Sequence, residues 1–201
     1  MRKRIGKLFS IVFSTEMITC LALLIAMQVV FGSLFQVQWT DKKQFNLGFL
    51  PIAVAGAVFG PAPAMIVGAL GDVIGTLLFP QGAYFWGFTV TQALVGFIYG
   101  LLLYERKLRL RRVGLCCAII SCLYLFLNSY WIHLVYGPDY RVYIAIRWWM
   151  YLVETPVAAT VVYYVLVLLR RHRLPILAKW TFGDGKETGE AADQKEGEGE
   201  G

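Results

Sequence analysis

The sequence predicts an all-α integral membrane protein with six transmembrane helices, and three observations carry that reading. Residues 48 to 104 run fifty-seven positions with a single charged side chain, Asp72. The chain of 201 residues is 58% hydrophobic and only 16% charged, with a positive mean hydropathy, whereas globular proteins carry about a quarter of their residues charged. Its basic residues stand between apolar runs, where they read as topology rather than as a nucleic-acid footprint.

Arg2, Lys3, Arg4 and Lys7 precede an apolar run from residue 17 to 35. That run is too long for a signal-peptide h-region, so a retained first helix is expected over about residues 10–35. Thr15, Thr19, Ala22, Ala26 and Ser33 form a small-residue stripe on it. Ala22-x-x-x-Ala26 lets another helix approach closely, either inside the bundle or from a partner. The second and third helices share residues 47–79, broken at Gly60-Pro61-Ala62-Pro63. The piece before the break is about 20 Å long as a helix, short of the hydrocarbon core. A short helix is expected there, buried in protein or lining a cavity. Runs at about 84–104, 113–136 and 144–169 supply the fourth, fifth and sixth helices, with Pro156 expected to kink the last.

Six spans put both termini on one side. Thirteen Lys and Arg then fall on that side, five of them in residues 105–112, and four (Lys42, Lys43, Arg141, Arg147) on the other. The positive-inside rule makes the first side cytoplasmic and the protein a multi-pass component of the cell membrane. Residues 1–180 are expected to form the transmembrane domain. Residues 181–201 hold seven acidic and two basic side chains among many glycines; such a tail cannot bury a core and is expected to be disordered.

The chemistry-bearing residues gather at the outer ends. Tyr84, Phe85 and Trp86 come after the third helix, Asn128 to His133 end the fifth, and Arg147, Trp148 and Trp149 open the sixth. Aromatic belts form at any membrane interface, but Asn128 and Arg147 near the apolar zone need partners or a wet pocket. Such a pocket, with stacking faces and an Arg, suits a planar anionic small molecule. Arg147 and Glu154 are two helical turns apart on one face. Asp72, between Gly71 and Gly75, serves either a bond across helices or a ligand contact. Cys20, Cys116, Cys117 and Cys122 lie in apolar stretches without metal-ligand or disulfide spacing, and His133 and His172 are lone. With no nucleotide-binding loop or metalloprotease motif, no cofactor is expected. Uphill transport would take its energy from an ion gradient or from another subunit. Asp72 and Glu154 are the only deep carboxylates. That scarcity favours a second subunit over a stand-alone secondary transporter, and argues against an enzyme.

Longer blocks carry a resemblance. Gly48-Phe-Leu-Pro-Ile-Ala-Val-Ala-Gly-Ala-Val-Phe-Gly-Pro61, Gly68-Ala-Leu-Gly-Asp72-Val-Ile-Gly75 and Ala93-Leu-Val-Gly-Phe-Ile-Tyr-Gly100 are joined by Leu127-Asn-Ser-Tyr-Trp131 and by Arg147 nine residues before Pro156. Over about residues 10–170 the chain resembles the folate-family substrate-binding (S) components of energy-coupling factor (ECF) transporters. The resemblance implies a six-helix vitamin-capturing subunit that docks on a membrane-embedded T component driven by two cytoplasmic ATPase subunits. It implies that Ala22 and Ala26 meet the T component. It further implies a folate-like ligand whose carboxylate end meets Arg147, Lys42 and Lys43. Trp131, Tyr84, Phe85 and Trp148 would form its stacking slot, and Asn128 would pair with the heterocycle's edge. The chain departs from the family at Gln44, where an Arg is usual, at Met150-Tyr151, where Lys-Asn is common, and at Trp86, where Pro is usual. These departures sit near the carboxylate end and the slot. They keep another planar metabolite, riboflavin or a deazapurine precursor, as the alternative ligand.

Overall fold

The protein is described by a computed structural model covering residues 15–33, 36–40, 43–80, 84–106, 108–137 and 140–171. Helix α1 spans Thr15–Ser33, and a two-stranded antiparallel hairpin comes after it, β1 (Gln36–Thr40) paired with β2 (Lys43–Asn46). Helices α2 (Phe49–Phe59), α3 (Pro61–Leu78) and α4 (Trp86–Leu103) come next. Helix α5 (Leu110–Leu123) passes through a π turn (Tyr124–Asn128) into α6 (Ser129–Tyr136), and α7 (Tyr140–Arg171) is last. The helical membrane architecture is as expected. The hairpin is an addition to the all-α expectation, and the π turn interrupts what the sequence presents as one uniform fifth helix. Lys42, the N-terminal basic residues, His172 and the acidic tail lie outside the described residues.

Among the described residues five helical stretches are long and apolar enough to cross a membrane: Thr15–Ser33, Pro61–Leu78, Trp86–Leu103, Leu110–Val135 and Arg147–Arg171. The sixth apolar helix, α2, has only 11 residues, about 16 Å of rise. It is buried almost completely from Pro51 to Phe59. A helix that falls short of the bilayer thickness is thus enclosed by protein, as its length requires. The break before α3 is made by Gly60 at φ +93°, a conformation L side chains rarely adopt, with Pro61 starting the next helix.

Small residues set the packing. A Cβ on Gly96 of α4 would run into the carbonyl group of Ala64 on α3, and one on Gly100 into the backbone of Pro61. One on Gly68 would strike the carbonyl of Gln92. Helices α3 and α4 therefore touch backbone to backbone, the close approach that builds dispersion contact where lipid removes the hydrophobic driving force. Ile52, Val58, Val67, Val95, Val113, Val162 and Leu166 fill the core around this seam. Large apolar side chains face outward instead: Leu77 is 73% exposed, and Leu23, Leu152 and Tyr164 are also exposed. In water that surface would be an aggregation liability; in a bilayer it is the lipid contact.

Candidate substrate site

One end of the bundle collects the polar groups. It is built from the C-terminal half of α3, the start of α4, the π turn with α6, and the first turns of α7. Thr89 Oγ1 on α4 donates to Asp72 Oδ2 on α3 at 2.7 Å. The single hydroxyl proton of Thr89 is committed to that carboxylate, so the Tyr84 hydroxyl, 2.8 Å away, donates to Thr89. Asp72 therefore bonds across helices, one of the two roles its position allowed. The glycines flanking it are approached as expected: the Gln28 amide of α1 lies over Gly71, and Ser33 Oγ stands near Gly75.

The next turn of α4 reaches the π turn and α6. Trp131 Nε1 donates to Thr91 Oγ1 at 3.1 Å, and Thr91 in turn donates to the Gly87 carbonyl at 2.9 Å. The Trp131 ring packs on Phe85 at 5.5 Å between centroids and on Tyr130 at 5.2 Å. A side chain at position 87 would collide with both Trp131 and Phe85, so Gly87 is what lets these rings meet. Tyr124, inside the π turn, donates to Gln92 Oε1 at 2.8 Å. The irregular turn brings two more polar groups into the protein: Asn128 Oδ1 and Ser129 Oγ are buried without a hydrogen-bond partner among the described residues. Such π turns occur frequently at functional sites, and an acceptor buried without a donor is costly until a ligand or water supplies one.

Helix α7 closes the site with a polar inward face. Arg147 and Tyr151, one turn apart, are each only 8% exposed. One turn deeper, Thr155 Oγ1 donates to the Tyr151 carbonyl at 2.6 Å and hydrogen-bonds Ser121 Oγ of α5 at 2.7 Å. Trp148, expected in the stacking slot, faces the other way at 56% exposure, because it stands one residue after an inward-facing Arg on a helix. Phe85 and Trp131 are brought together, Tyr84 reaches the cluster through Thr89, and Trp148 is not joined to them. Lys43 and Gln44 stand on β2, and their side chains lie outside the described part. Ala22 and Ala26 are exposed on α1.

The sequence reading missed Gln28, Thr89, Thr91, Gln92 and Tyr124. Gln28 had a signal, being the one amide in an otherwise apolar helix. It is 5% exposed, and its Nε2 donates to the Gly68 carbonyl at 3.3 Å, tying α1 to α3. Gln92 carried the same signal, as the one amide of α4, whereas threonine and tyrosine in a span pass as ordinary. Among the described residues no three His, Cys, Asp or Glu side chains cluster to hold a metal. A groove of about 310 Å³ along Pro156, Val157, Thr160 and Val161 lies on the exposed side of α7, with none of the site residues in its wall.

A bundle of apolar helices with a polar, aromatic end and lipid-facing flanks defines a multi-pass membrane protein. A family model for the S component of the ECF-type riboflavin transporter matches residues 12–170, and the chain belongs to that family. It is 36% identical to the folate transporter FolT of Clostridium novyi (strain NT) over 144 residues, 71% of this chain and 83% of that protein. It is 27% identical over 159 residues to the folate transporter FolT of Leuconostoc mesenteroides subsp. mesenteroides, covering 76% of this chain and 85% of that one. A crystal structure of FolT bound with folic acid superposes with a TM-score of 0.71 and 32% identity, covering 76% of this chain and 93% of the other. The resemblance read from the glycine-rich blocks therefore holds at the level of the S-component family and fold.

Proposed function

We propose that this S component captures a folate from outside the cell. In this reading both termini are cytoplasmic, and the loaded subunit docks on a T component energised by two ATPase subunits. The observation that carries the ligand class is the similarity, in sequence and in fold, to FolT bound with folic acid. The local chemistry agrees with it. A pterin presents N–H donors at its edge, and the buried Asn128 Oδ1 has no donor among the described residues. A flat heterocycle fits beside the Phe85–Trp131 pair. The glutamyl tail is anionic, and the guanidinium of Arg147 is withdrawn from solvent at the same end of the bundle. Lys43 and Gln44 on the hairpin are assigned to the tail's outer end. Riboflavin is the second reading, because the matching family model carries that name.

The test is a tryptophan-fluorescence titration of the detergent-solubilised protein, whose six tryptophans include Trp131. Folate and 5-formyltetrahydrofolate are expected to quench saturably, and riboflavin is not. Arg147→Ala is expected to weaken folate binding by about 10–150-fold, the worth of a hydrogen bond to a charged group. Saturation by riboflavin alone would give the pocket to the flavin, and an unchanged folate affinity in Arg147→Ala would remove the anion clamp.

A further inference from the structure

The end of the bundle opposite the substrate site gathers arginines from two distant stretches. The turn between α4 and α5 carries Arg106 and Arg109, and the first turn of α5 adds Arg111 and Arg112. Arg170, 64 residues beyond Arg106, donates from Nη2 to the Arg106 carbonyl at 3.0 Å. That bond draws the end of α7, with Arg171, against the turn. It uses the backbone oxygen of Arg106, so the Arg106 guanidinium takes no part in it. Arg106, Arg109, Arg111 and Arg171 are exposed, and Glu105 is the one acidic side chain among the described residues of these two stretches.

The positive-inside rule needs only a number of basic residues on one side; it does not need them to converge. Convergence of like charges is unfavourable unless an anion joins them. The position selects the anion. These arginines stand within a few residues of the ends of the Trp86–Leu103, Leu110–Val135 and Arg147–Arg171 spans, which sets them at the interface once those helices cross a bilayer. On the same helix ends Leu101, Leu110 and Leu168 are exposed. Guanidinium forks above an apolar wall fit a molecule with a phosphate at one end and acyl chains at the other.

We propose that this arginine cluster is a binding site for the phosphate of an anionic phospholipid headgroup. The experiment uses the full chain in nanodiscs of pure phosphatidylcholine and in nanodiscs doped with phosphatidylglycerol. Thermal unfolding and native mass spectrometry of retained lipid are read for the wild type and for R106Q/R109Q/R111Q. Phosphatidylglycerol is expected to stabilise the wild type and to be retained by it. The triple variant is expected to lose roughly a hundredfold in retention, at about fivefold per charge near the surface. R106K/R109K/R111K keeps the charge and is expected to recover most of it. Folate titration at the opposite end reports folding independently and is expected to be unchanged in both variants. An equal response of wild type and Gln variant to phosphatidylglycerol would overturn the site. So would equal stabilisation of the wild type by inorganic phosphate in pure phosphatidylcholine, which would give the cluster to a soluble anion.

Discussion

Gly96→Ala adds one methyl group at the seam between α3 and α4, where backbone from the facing helix already fills the space. The new Cβ would stand 2.5 Å from the carbonyl carbon of Ala64 and 2.8 Å from the nitrogen of Met65. Carbon atoms in contact prefer about 3.5 Å or more, so the two helices must separate by roughly 1 Å. Both atoms belong to backbone, and no side-chain rotation relieves the clash. Overpacking of this kind costs about 1–3 kcal/mol, offset by about 0.5–1 kcal/mol of helix propensity gained from Ala. Taken at mid-range, the net loss is about 1 kcal/mol, or roughly 2–4 °C in melting midpoint for a chain of this size. The site feels it as well. Thr89 lies on the same helix two turns away, and a 1 Å separation carries its 2.7 Å bond to Asp72 beyond hydrogen-bonding range. Gly114→Ala is the matched control, because a Cβ there meets nothing within 4 Å. It is expected to be neutral or slightly stabilising. Thermal unfolding in detergent and folate titration are measured on both variants. A Gly96→Ala protein that melts as high as Gly114→Ala, with folate affinity intact, would refute the backbone-contact reasoning.

Two further predictions concern the site and the proposed docking face. Thr89→Val keeps the shape of the side chain and removes the proton given to Asp72, with the acceptor used by Tyr84; a stability loss of about 1.5–3 kcal/mol is expected by thermal unfolding, and an unchanged midpoint would show that the bond contributes nothing. Ala26→Leu places a branched side chain on the exposed stripe of α1; folate titration is expected to stay as in the wild type while co-purification with the T component is lost, and intact co-purification would remove α1 as the docking face.

The break at Gly60-Pro61, the shortness of α2 and its burial were legible from residue types and length alone, since a proline-started helix and an undersized span each have few physical solutions. Asp72 was legible as a site of close approach because glycines flank it. Arg147 was legible because a lone cation near an apolar zone needs company. The exposed side of Trp148 was not legible, because residue types at a helix end do not fix the rotation of the helix about its axis. One residue of rotation turns Trp148 to lipid and brings Arg147 and Tyr151 inward.

By itself the sequence determined the solvent, the helical architecture and the family, because hydrophobic run lengths, charge placement and glycine-rich blocks are local properties written along the chain. Only the tertiary structure decided which polar groups meet. The Asp72–Thr89 bond, Trp131 on Thr91 and the Gln28 contact with Gly68 each join residues 17 to 40 positions apart. The π turn that carries Tyr124 and buries Asn128 Oδ1 also waits on the packed bundle. An extra residue in one helical turn is held by its neighbours in space, and helix propensity leaves no trace of it in the sequence.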